Sequence, residues 1–425
     1  MSMPWFGELP KRWNCVRAFA LFDENIASNS NLETKTALQF RFGEIVKKTM
    51  QETDENLKRY TPVNVDDIMV NGLNLNYDFV TQRVAIVKEV GAITSAYISL
   101  RPRSTVSPKY TCYLLKTMDS LKLFNGMGTG IRLTLGYSEF KKTMLPLPPR
   151  DEQDKIVRFL DWKVSQINKL INAKQKQIEL LREQKSAEIE SVLSCISAQT
   201  IRCRYLGSLQ NGISESEEFF TAGTPFVNYG DVYNNDILPR SVNGLAKANE
   251  KQQKTYSVKI GDVFFTRTSE TIDDVGLAAV CEATIPQAVF SGFIIRFRPQ
   301  KNKLLNSYAR YFFRSKRVRD YFTQEMNLVT RVSLGQTLLK NLAVLLPDMD
   351  MQSIISNQLD KKCDAIDKLS KKINEEIALF TEYRTKLISD VIVGKIDIRS
   401  ITKLKSENIE SFVSVDMPYG EYDRG

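Results

Sequence analysis

The feature that most constrains this chain is a long stretch that occurs twice. The first copy begins at Leu145 with LPLPPRDEQDKIVRFLD, and the second begins at Val344 with VLLPDMDMQSIISNQLD. They align without a gap, with Gln153 on Gln352, an offset of 352 − 153 = 199 residues. The same offset pairs Pro148 with Pro347, Ile156 with Ile355, Leu160 with Leu359, Asp161 with Asp360, Ile167 with Ile366, Ile178 with Ile377 and Val192 with Val391. Because solenoid repeats are only roughly 20 to 50 residues long, this repeat is a duplicated half of a protein.

Both copies have the periodicity of a helix. Their apolar residues recur at steps of three and four after a proline, a residue that is tolerated at a helix start. They are Ile156, Leu160, Val164, Ile167, Ile171, Ile178, Leu181 and Val192 in the first copy, and Leu359, Ile366, Ile373, Ile377, Phe380, Leu387 and Val391 in the second. A helix of about 45 residues is roughly 65 Å long and cannot bury such a stripe against itself. We therefore predict that the two copies pack together as an antiparallel coiled coil.

Globular sequence precedes each predicted helix. Residues rich in β-branched and aromatic side chains predict strands at 83–87 and 96–100, followed by a helix over 110–123. The later globular part repeats this plan, with strands at 259–265, 276–280 and 290–297 and a helix over 308–321. Weak matches near the same offset, such as Tyr110 with Tyr308 and Gly136 with Gly335, extend the duplication over nearly the whole chain.

The predicted fold is therefore of the α+β class. It has two globular α/β domains separated by two long antiparallel coiled-coil helices, in a pseudo-twofold internal repeat. The predicted boundaries are 1–145 for the first domain, 146–200 for the central helix, 201–344 for the second domain, 345–397 for the distal helix and 398–425 for a C-terminal tail. Two unlike domains held apart by a helical spacer would suit the reading of two unlike half-sites in DNA.

Charge and residue usage narrow the possible functions. The chain has 59 Lys and Arg residues against 50 Asp and Glu, and the net charge of +9 weakly indicates a polyanionic partner. It has no histidine, which excludes Ser-His-Asp catalysis and His-ligated zinc. Its six cysteines form no C-x-x-C pair, so we expect neither a disulfide framework nor a metal, and no cofactor. A cytoplasmic location is expected, because no apolar run approaches a membrane span and MSMPWFGELPKRW lacks the apolar core of a signal peptide.

Two enzyme classes have only superficial support. The cofactor loop of a methyltransferase would open a helix within a βαβ unit, and the glycine-rich run at 126–130 does not. Asp348 and Asp360, with Lys361 and Lys362, resemble a metal-nuclease motif in residue type and order. However, about 18 Å of predicted helix separates the two carboxylates, so they could not share one Mg²⁺. We interpret Asp360 as a solvated residue and predict a chain without a catalytic site.

Several motifs closely resemble those of the specificity subunit of type I restriction-modification systems. Besides the two helix openings, they are WFGELPKRW from Trp5 to Trp13, TPFVNYGDV from Thr224 to Val232, Gly261-Asp262-Val263, and GKIDIR from Gly394 to Arg399. The resemblance covers nearly the whole chain. It implies two target recognition domains, each reading one half of an asymmetric, bipartite sequence in double-stranded DNA. It also implies that two modification (methyltransferase) subunits, and through them restriction subunits, join the chain and perform the chemistry.

The same resemblance implies that the duplicated helix openings dock the modification subunits. The residues concerned are Pro148, Gln153, Ile156, Pro347, Gln352 and Ile355. The second opening departs from the first, since Asp348 and Met351 stand where the first has Pro149 and Glu152. Equivalent contacts at both openings are therefore not implied.

Residues for DNA contact are chosen by type and by their place near predicted turns and strand ends. Arg, Asn and Gln suit base edges, whereas Lys, Ser and Thr suit phosphates. The candidates are Arg103, Lys109, Arg132 and Lys142 in the first domain, and Asn228, Tyr229, Arg267, Thr268, Ser269 and Arg331 in the second. The basic face of helix 308–321, with Arg310, Arg314, Lys316, Arg317 and Arg319, is interpreted as solvated, with DNA contact as the alternative. The alternative function for the whole chain is a coiled-coil scaffold that does not bind DNA.

Overall fold

The computed structural model describes residues 2–3, 5–41, 43–76, 82–269, 274–325 and 332–398. Their contacts divide the chain into two compact units. Among the described residues, unit 1 combines those up to Lys174 with those from Glu375 onward, and unit 2 comprises Gln175–Asn374. Each unit holds one globular head and a part of each long helix. The heads are called the first head (residues 2–147) and the second head (residues 199–346).

The first head is built on a four-stranded antiparallel sheet. Its main elements are β1 (Asn14–Arg17), β2 (Phe22–Glu24), β3 (Ile68–Val70), β4 (Val84–Ile86), β5 (Ile98–Pro102), α1 (Pro108–Ser120) and β6 (Met144–Leu147). The strand order in the sheet is β2-β5-β3-β4, and β1 pairs separately with β6. Leu100 in β5 lies opposite Ile68 in β3, and both side chains are fully buried. The strands predicted at 83–87 and 96–100 and the following helix are confirmed, with small shifts of their ends.

The second head repeats this sheet after the long helix α2 (Arg150–Ser194). Its main elements are β7 (Gln199–Arg202), β8 (Gly207–Asn211), β9 (Val263–Thr266), β10 (Ala278–Val280), β11 (Ile294–Pro299), α3 (Asn306–Phe312), α4 (Lys316–Glu325) and β12 (Ala343–Leu346). The sheet order is β8-β11-β9-β10, and β7 pairs with β12, as β1 does with β6. The equal order shows that the duplication extends into the heads. The single helix predicted over 308–321 is instead two helices, since the chain turns at 313–315.

The heads differ in the smaller elements around this common sheet. In the first head these are the hairpin Leu38–Arg41 with Glu44–Lys47, the pair Thr61–Val63 with Gly91–Ile93, and the short helices Asp54–Lys58 and Tyr137–Phe140. In the second they are the three-stranded sheet Gly244–Ala246, Thr224–Val227 and Val289–Phe290, the pair Thr268–Ser269 with Val332–Ser333, and the short helices Cys203–Leu206, Tyr229–Tyr233, Glu250–Thr255 and Gln336–Asn341. The chain between the first and second sheet strands, residues 25–67 and 212–262, therefore folds differently in each head.

The second copy of the repeat forms the long helix α5 (Met349–Ile392), and its polar contacts with α2 run in opposite directions along the two helices. In unit 1, Arg384 Nη1 donates to Asn168 Oδ1 at 2.6 Å and Lys174 pairs with Glu376 at 2.6 Å. In unit 2 the ion pairs are Lys185 with Asp367 at 2.7 Å and Lys362 with Glu188 at 2.6 Å. In each unit the residue number of the partner in α5 falls as the residue number in α2 rises. The predicted antiparallel pairing is therefore confirmed.

The apolar stripes of these helices are buried as the periodicity predicted. The buried members are Ile156, Leu160, Ile167, Ile171, Ile178 and Leu181 in α2, and Leu359, Ile366, Ile373, Leu387 and Val391 in α5. Lys174 and Glu188 are polar residues within the apolar stripe of the first copy. Ion pairs with Glu376 and Lys362 compensate their charges. Within the described ranges, no helix is both long enough and apolar enough to cross a membrane.

Candidate nucleic-acid interface

In the second head, two candidate segments meet at one turn. The backbone N–H of Ser291 donates to Val227 O at 3.0 Å, next to Asn228. The backbone N–H of Arg267 donates to Phe293 O at 2.9 Å, and its Nη1 donates to Gly292 O at 3.3 Å. The structure therefore brings the segments of Asn228 and Arg267 together around the turn 291–293.

Asn228 already has a structural role. It is the N-cap of the short helix Tyr229–Tyr233, where its Oδ1 accepts from the backbone N–H of Asp231 at 3.0 Å. Asp231 Oδ2 in turn accepts from the N–H of Asn228 at 2.8 Å, which completes a capping box. Tyr229 is half-buried and stacks on Tyr233, with ring centroids 5.6 Å apart. The capping box therefore fixes the backbone that carries Tyr229.

Sequence reasoning missed Phe293 at the same turn. Its side chain is 61% exposed although it is a large aromatic residue. Thr268 is half-buried in a short strand that pairs with Ser333, and Ser269 belongs to the same strand. Arg331, the remaining candidate of the second head, lies outside the described residues. In duplex DNA, arginine bonds to guanine edges and a phenylalanine ring contacts the thymine methyl group, so the two side chains suit a reading surface.

The candidates of the first head occupy separate places. Arg103 pairs with Asp23 at 2.7 Å, and Lys109 pairs with Asp161 of α2 at 2.9 Å. Arg132 is exposed in a tight turn between Thr129 and Thr134, whose backbone groups bond to each other. Lys142 is exposed just before β6. Their selection by residue type alone does not define one surface, and their contact with DNA stays a prediction.

The basic face of α3 and α4 is only partly solvated, which corrects its interpretation from the sequence. Arg310 pairs with Asp236 at 2.7 Å, and Arg314 donates to the carbonyls of Ala278 at 2.5 Å and Asn235 at 2.6 Å. Arg319 donates to the carbonyl of Val275. Burial lowers the pKa of Arg314. The three guanidinium groups turn inward, where bonds to carbonyls and to a carboxylate replace part of their hydration.

The two glutamines at the helix openings bond to their own heads. Gln153 Oε1 accepts from the N–H of Ser107 at 2.8 Å, and its Nε2 donates to Pro148 O at 2.9 Å. Gln352 Oε1 accepts from the N–H of Leu305 at 2.8 Å, and its Nε2 donates to Pro347 O at 2.9 Å and Lys303 O at 3.1 Å. All six predicted docking residues, Pro148, Gln153, Ile156, Pro347, Gln352 and Ile355, are buried. Their docking role stays a prediction, and burial means that they would act by fixing the shape of the helix opening.

A tyrosine in each head holds the adjoining long helix. Tyr113 bonds to Asp161 Oδ1 at 2.8 Å, and Tyr311 bonds to Asp360 Oδ1 at 2.6 Å. Burial, together with the bond to Asp360, raises the pKa of Tyr311 well above its ordinary value. Asp360 is thus bonded to the second head and only partly solvated, which corrects its interpretation as a solvated carboxylate.

An arginine–aspartate pair joins the two central strands of the sheet in each head. Arg101 pairs with Asp67 at 3.1 Å, and Arg298 pairs with Asp262 at 2.6 Å. Both aspartates are buried, and each precedes the second strand of its sheet. The sequence analysis quoted Asp262 within the motif Gly261-Asp262-Val263 but did not pair it with Arg298.

Nothing in the described ranges gathers three metal-ligating side chains. Asp348, half of the nuclease-like motif, accepts from the backbone N–H of Met351 at 2.8 Å and so caps α5. Of the six cysteines, Cys112, Cys203, Cys281 and Cys363 are buried, Cys15 is half-buried and Cys195 is exposed.

Two comparisons with known proteins agree with this geometry. The type I restriction modification DNA specificity domain family matches residues 78–180 and 210–379, more than half of the chain. The type I restriction enzyme StySPI specificity subunit of Salmonella potsdam is 20% identical over 331 residues, covering 74% of this chain and 70% of the relative. The MjaVIII specificity subunit of Methanocaldococcus jannaschii is 20% identical over 397 residues, covering 84% and 90%.

A solved structure shares the fold. It comes from work on complex assembly and conformational transition of the type I R-M system. The superposition has a TM-score of 0.65 at 14% sequence identity, and it covers 92% of this chain and all of the other. The duplicated sheet and the paired long helices define a protein of two related heads on a duplicated helical framework. The chain belongs to the type I restriction-modification DNA specificity family. Its role is accordingly that of a DNA sequence-specificity subunit.

Proposed function

We propose that this chain reads an asymmetric, bipartite site in double-stranded DNA, with one half-site for each head. The observation that supports this most is the common sheet of the two heads, on which residues 25–67 and 212–262 fold differently. A shared framework with unlike inserts suits two readers of unlike sequences. The proposed domains are those delimited from the sequence, 1–145 and 201–344.

The reading surface of the second head is proposed to surround the turn 291–293. A guanidinium has five N–H donors, and the bond from Arg267 to Gly292 uses one of them. The others can serve a guanine edge or a phosphate. Tyr229 and Phe293 add aromatic contact surface, while Asn228, Thr268 and Ser269 add polar groups beside them.

In the first head, Arg103, Lys109, Arg132 and Lys142 are proposed to contact the phosphate backbone. Arg132 and Lys142 are exposed, whereas Arg103 and Lys109 would exchange surface carboxylates for phosphates. Such exposed ion pairs stabilise a protein by less than about 1 kcal/mol, so the exchange costs little. Arg331 is proposed for the same role because the repeat places it on Arg132.

The long helices are proposed to dock two modification subunits, and through them restriction subunits. Exposed leucines recur at the repeat offset, since Leu170 corresponds to Leu369 and Leu180 to Leu379. Their exposed fractions are 40%, 43%, 55% and 64% in that order. Apolar side chains that the coiled coil leaves exposed at matching positions suit two equivalent partners. The chain itself would be non-catalytic and would act in the cytoplasm.

Selection from a random duplex library by the full chain, alone and with its modification subunit, tests this function. We expect enrichment of one bipartite sequence with two unlike halves. The affinity for it should fall steeply with salt, because binding releases counterions from the phosphates. A chain that enriches no sequence and binds duplex DNA without salt dependence would be a scaffold, contrary to the proposal.

A further inference from the structure

The second head contains a continuous polar connection that runs through one arginine. Arg310 of α3 lies between two carboxylates on different elements. Its Nε is 2.7 Å from Asp236 Oδ2, and its Nη1 is 3.7 Å from Asp360 Oδ1. Asp236 follows the short helix Tyr229–Tyr233, whereas Asp360 belongs to the long helix α5. One guanidinium therefore spans from the candidate reading segment to the coiled-coil helix.

The surroundings of Arg310 make this connection stiff. The side chain of Arg310 is only 15% exposed, and its guanidinium lies over the ring of Tyr311, 5.1 Å from the centroid. Tyr311 bonds to the same Asp360 at 2.6 Å. Burial alone would raise the pKa of Asp236, but the charge of Arg310 and the bond from it hold that pKa below its usual value. The lowered pKa keeps Asp236 ionised beside the guanidinium at neutral pH.

A second arginine fixes the same loop from the other side. Arg314 donates to the carbonyls of Asn235 at 2.6 Å and Val232 at 3.3 Å, at the end of the short helix. It therefore orients the backbone there, while Arg310 ties the neighbouring Asp236 to α5. The chain from Tyr229 to Asp236 has little freedom to tilt against the long helix while both arginines are in place.

The first head lacks the equivalent guanidinium. The offset that places Tyr110 on Tyr308 is 308 − 110 = 198, and it places Cys112 on Arg310. The corresponding carboxylate, Asp161, is held by Tyr113 and Lys109, both on α1. The path from long helix to short helix through an arginine therefore belongs to the second head.

We propose that Arg310 is a positioning residue, which orients the reading segment of the second head through Asp236 and holds it to α5 through Asp360. This rests on the proposed function, in which the second head reads one half-site. The orientation of a reader relative to its helix determines which base edges its side chains reach, and displacement by about 1 Å is enough to lose a bidentate contact. Discrimination between bases in one half-site should therefore depend on both carboxylates.

The test uses the full chain and the bipartite duplex that it selects. Discrimination is the ratio of the dissociation constants for duplexes with one wrong base pair and for the selected duplex, measured separately in each half. We expect Asp236→Asn and Asp360→Asn each to reduce discrimination about tenfold, in the same half-site only. Because both act through Arg310, the double variant should lose no more than about tenfold.

The matched control is Asp320→Asn, which removes one negative charge from an exposed ion pair with Lys316 in the same head. It should change discrimination in neither half. Unchanged discrimination in the two carboxylate variants, equal losses in both halves, or a roughly hundredfold loss in the double variant would each overturn the role of Arg310. A wild-type chain that selects no sequence would instead overturn the proposed function. Arg310→Lys, which keeps the charge but loses the planar fork, should resemble Asp360→Asn.

Discussion

The two helix-opening glutamines allow a test of whether burial or bond number decides the strength of a polar anchor. Gln352 makes three side-chain hydrogen bonds and Gln153 makes two. Both bonds of Gln153 are buried, whereas two of the three bonds of Gln352 reach partly exposed groups. Water can replace a lost partner only at the exposed groups. We therefore expect Gln153→Ala to destabilise its helix opening more than Gln352→Ala destabilises the other one.

The magnitudes follow from the groups that each substitution leaves behind. Gln153→Ala strands the buried N–H of Ser107, which costs about 2 kcal/mol, and removes a buried bond to Pro148 O worth about 1 kcal/mol. Gln352→Ala leaves the N–H of Leu305 and the carbonyl of Lys303 partly hydrated, so that the loss of these two bonds and of the buried bond to Pro347 O costs about 2 kcal/mol in all. The cavity left by the shortened side chain is the same in both variants and cancels in the comparison.

Hydrogen exchange at two equivalent amides measures these costs. Thr111 donates to Ser107 O and Ala309 donates to Leu305 O, so each amide reports the opening of its own helix start. Exchange of Thr111 should accelerate roughly 150-fold in Gln153→Ala, and that of Ala309 roughly 30-fold in Gln352→Ala. Gln166→Ala, at an exposed position of α2, should change neither. Acceleration of Ala309 equal to or greater than that of Thr111 would refute the reasoning from burial.

Three further predictions concern the reading surface, the modular heads and the cysteines. Arg267→Ala should weaken binding to the selected duplex by roughly 1–3 kcal/mol and relax one base position, as measured by competition binding; an equal loss on all sequences would identify a phosphate contact. Exchange of residues 202–342 for the corresponding part of a relative should change one half of the selected sequence, and a change in both halves would contradict independent readers. Burial raises the pKa of the Cys203 and Cys281 thiols to about 12, so at pH 8 only about one in ten thousand is a thiolate. A disulfide reagent at that pH should therefore modify the exposed Cys195 first, and rapid modification of Cys203 in the native protein would show that its burial is wrong.

The long helices were predictable because their signal is redundant. Most turns from Ile156 to Val192 repeat the same periodicity, and the second copy provides an independent observation of it. Even the polar interruption at Lys174 has a physical explanation, since Glu376 of the facing helix compensates its charge. The family itself followed from motifs at these helix openings.

The polar interior of the heads was not predictable, because residue type does not tell which way a long side chain points. Arg310 and Arg314 were interpreted as part of a solvated helix face. In the structure they bond to a carboxylate and to carbonyl groups from distant parts of the chain. Gln153 was assigned to a partner although its own head uses both of its polar groups. Phe293 was overlooked since an apolar residue in a strand-like run is normally buried, and its exposure appears only once the turn 291–293 is formed.

The braces from Arg101 to Asp67 and from Arg298 to Asp262 have an evolutionary consequence. Each fixes the point at which the insert that differs between the heads, residues 25–67 or 212–262, returns to the common sheet. Recombination at these points could exchange one insert for another without disturbing the strands that carry it. New recognition sequences could then arise by replacing a cassette in one head, while the opposite head and the paired helices keep their inherited form.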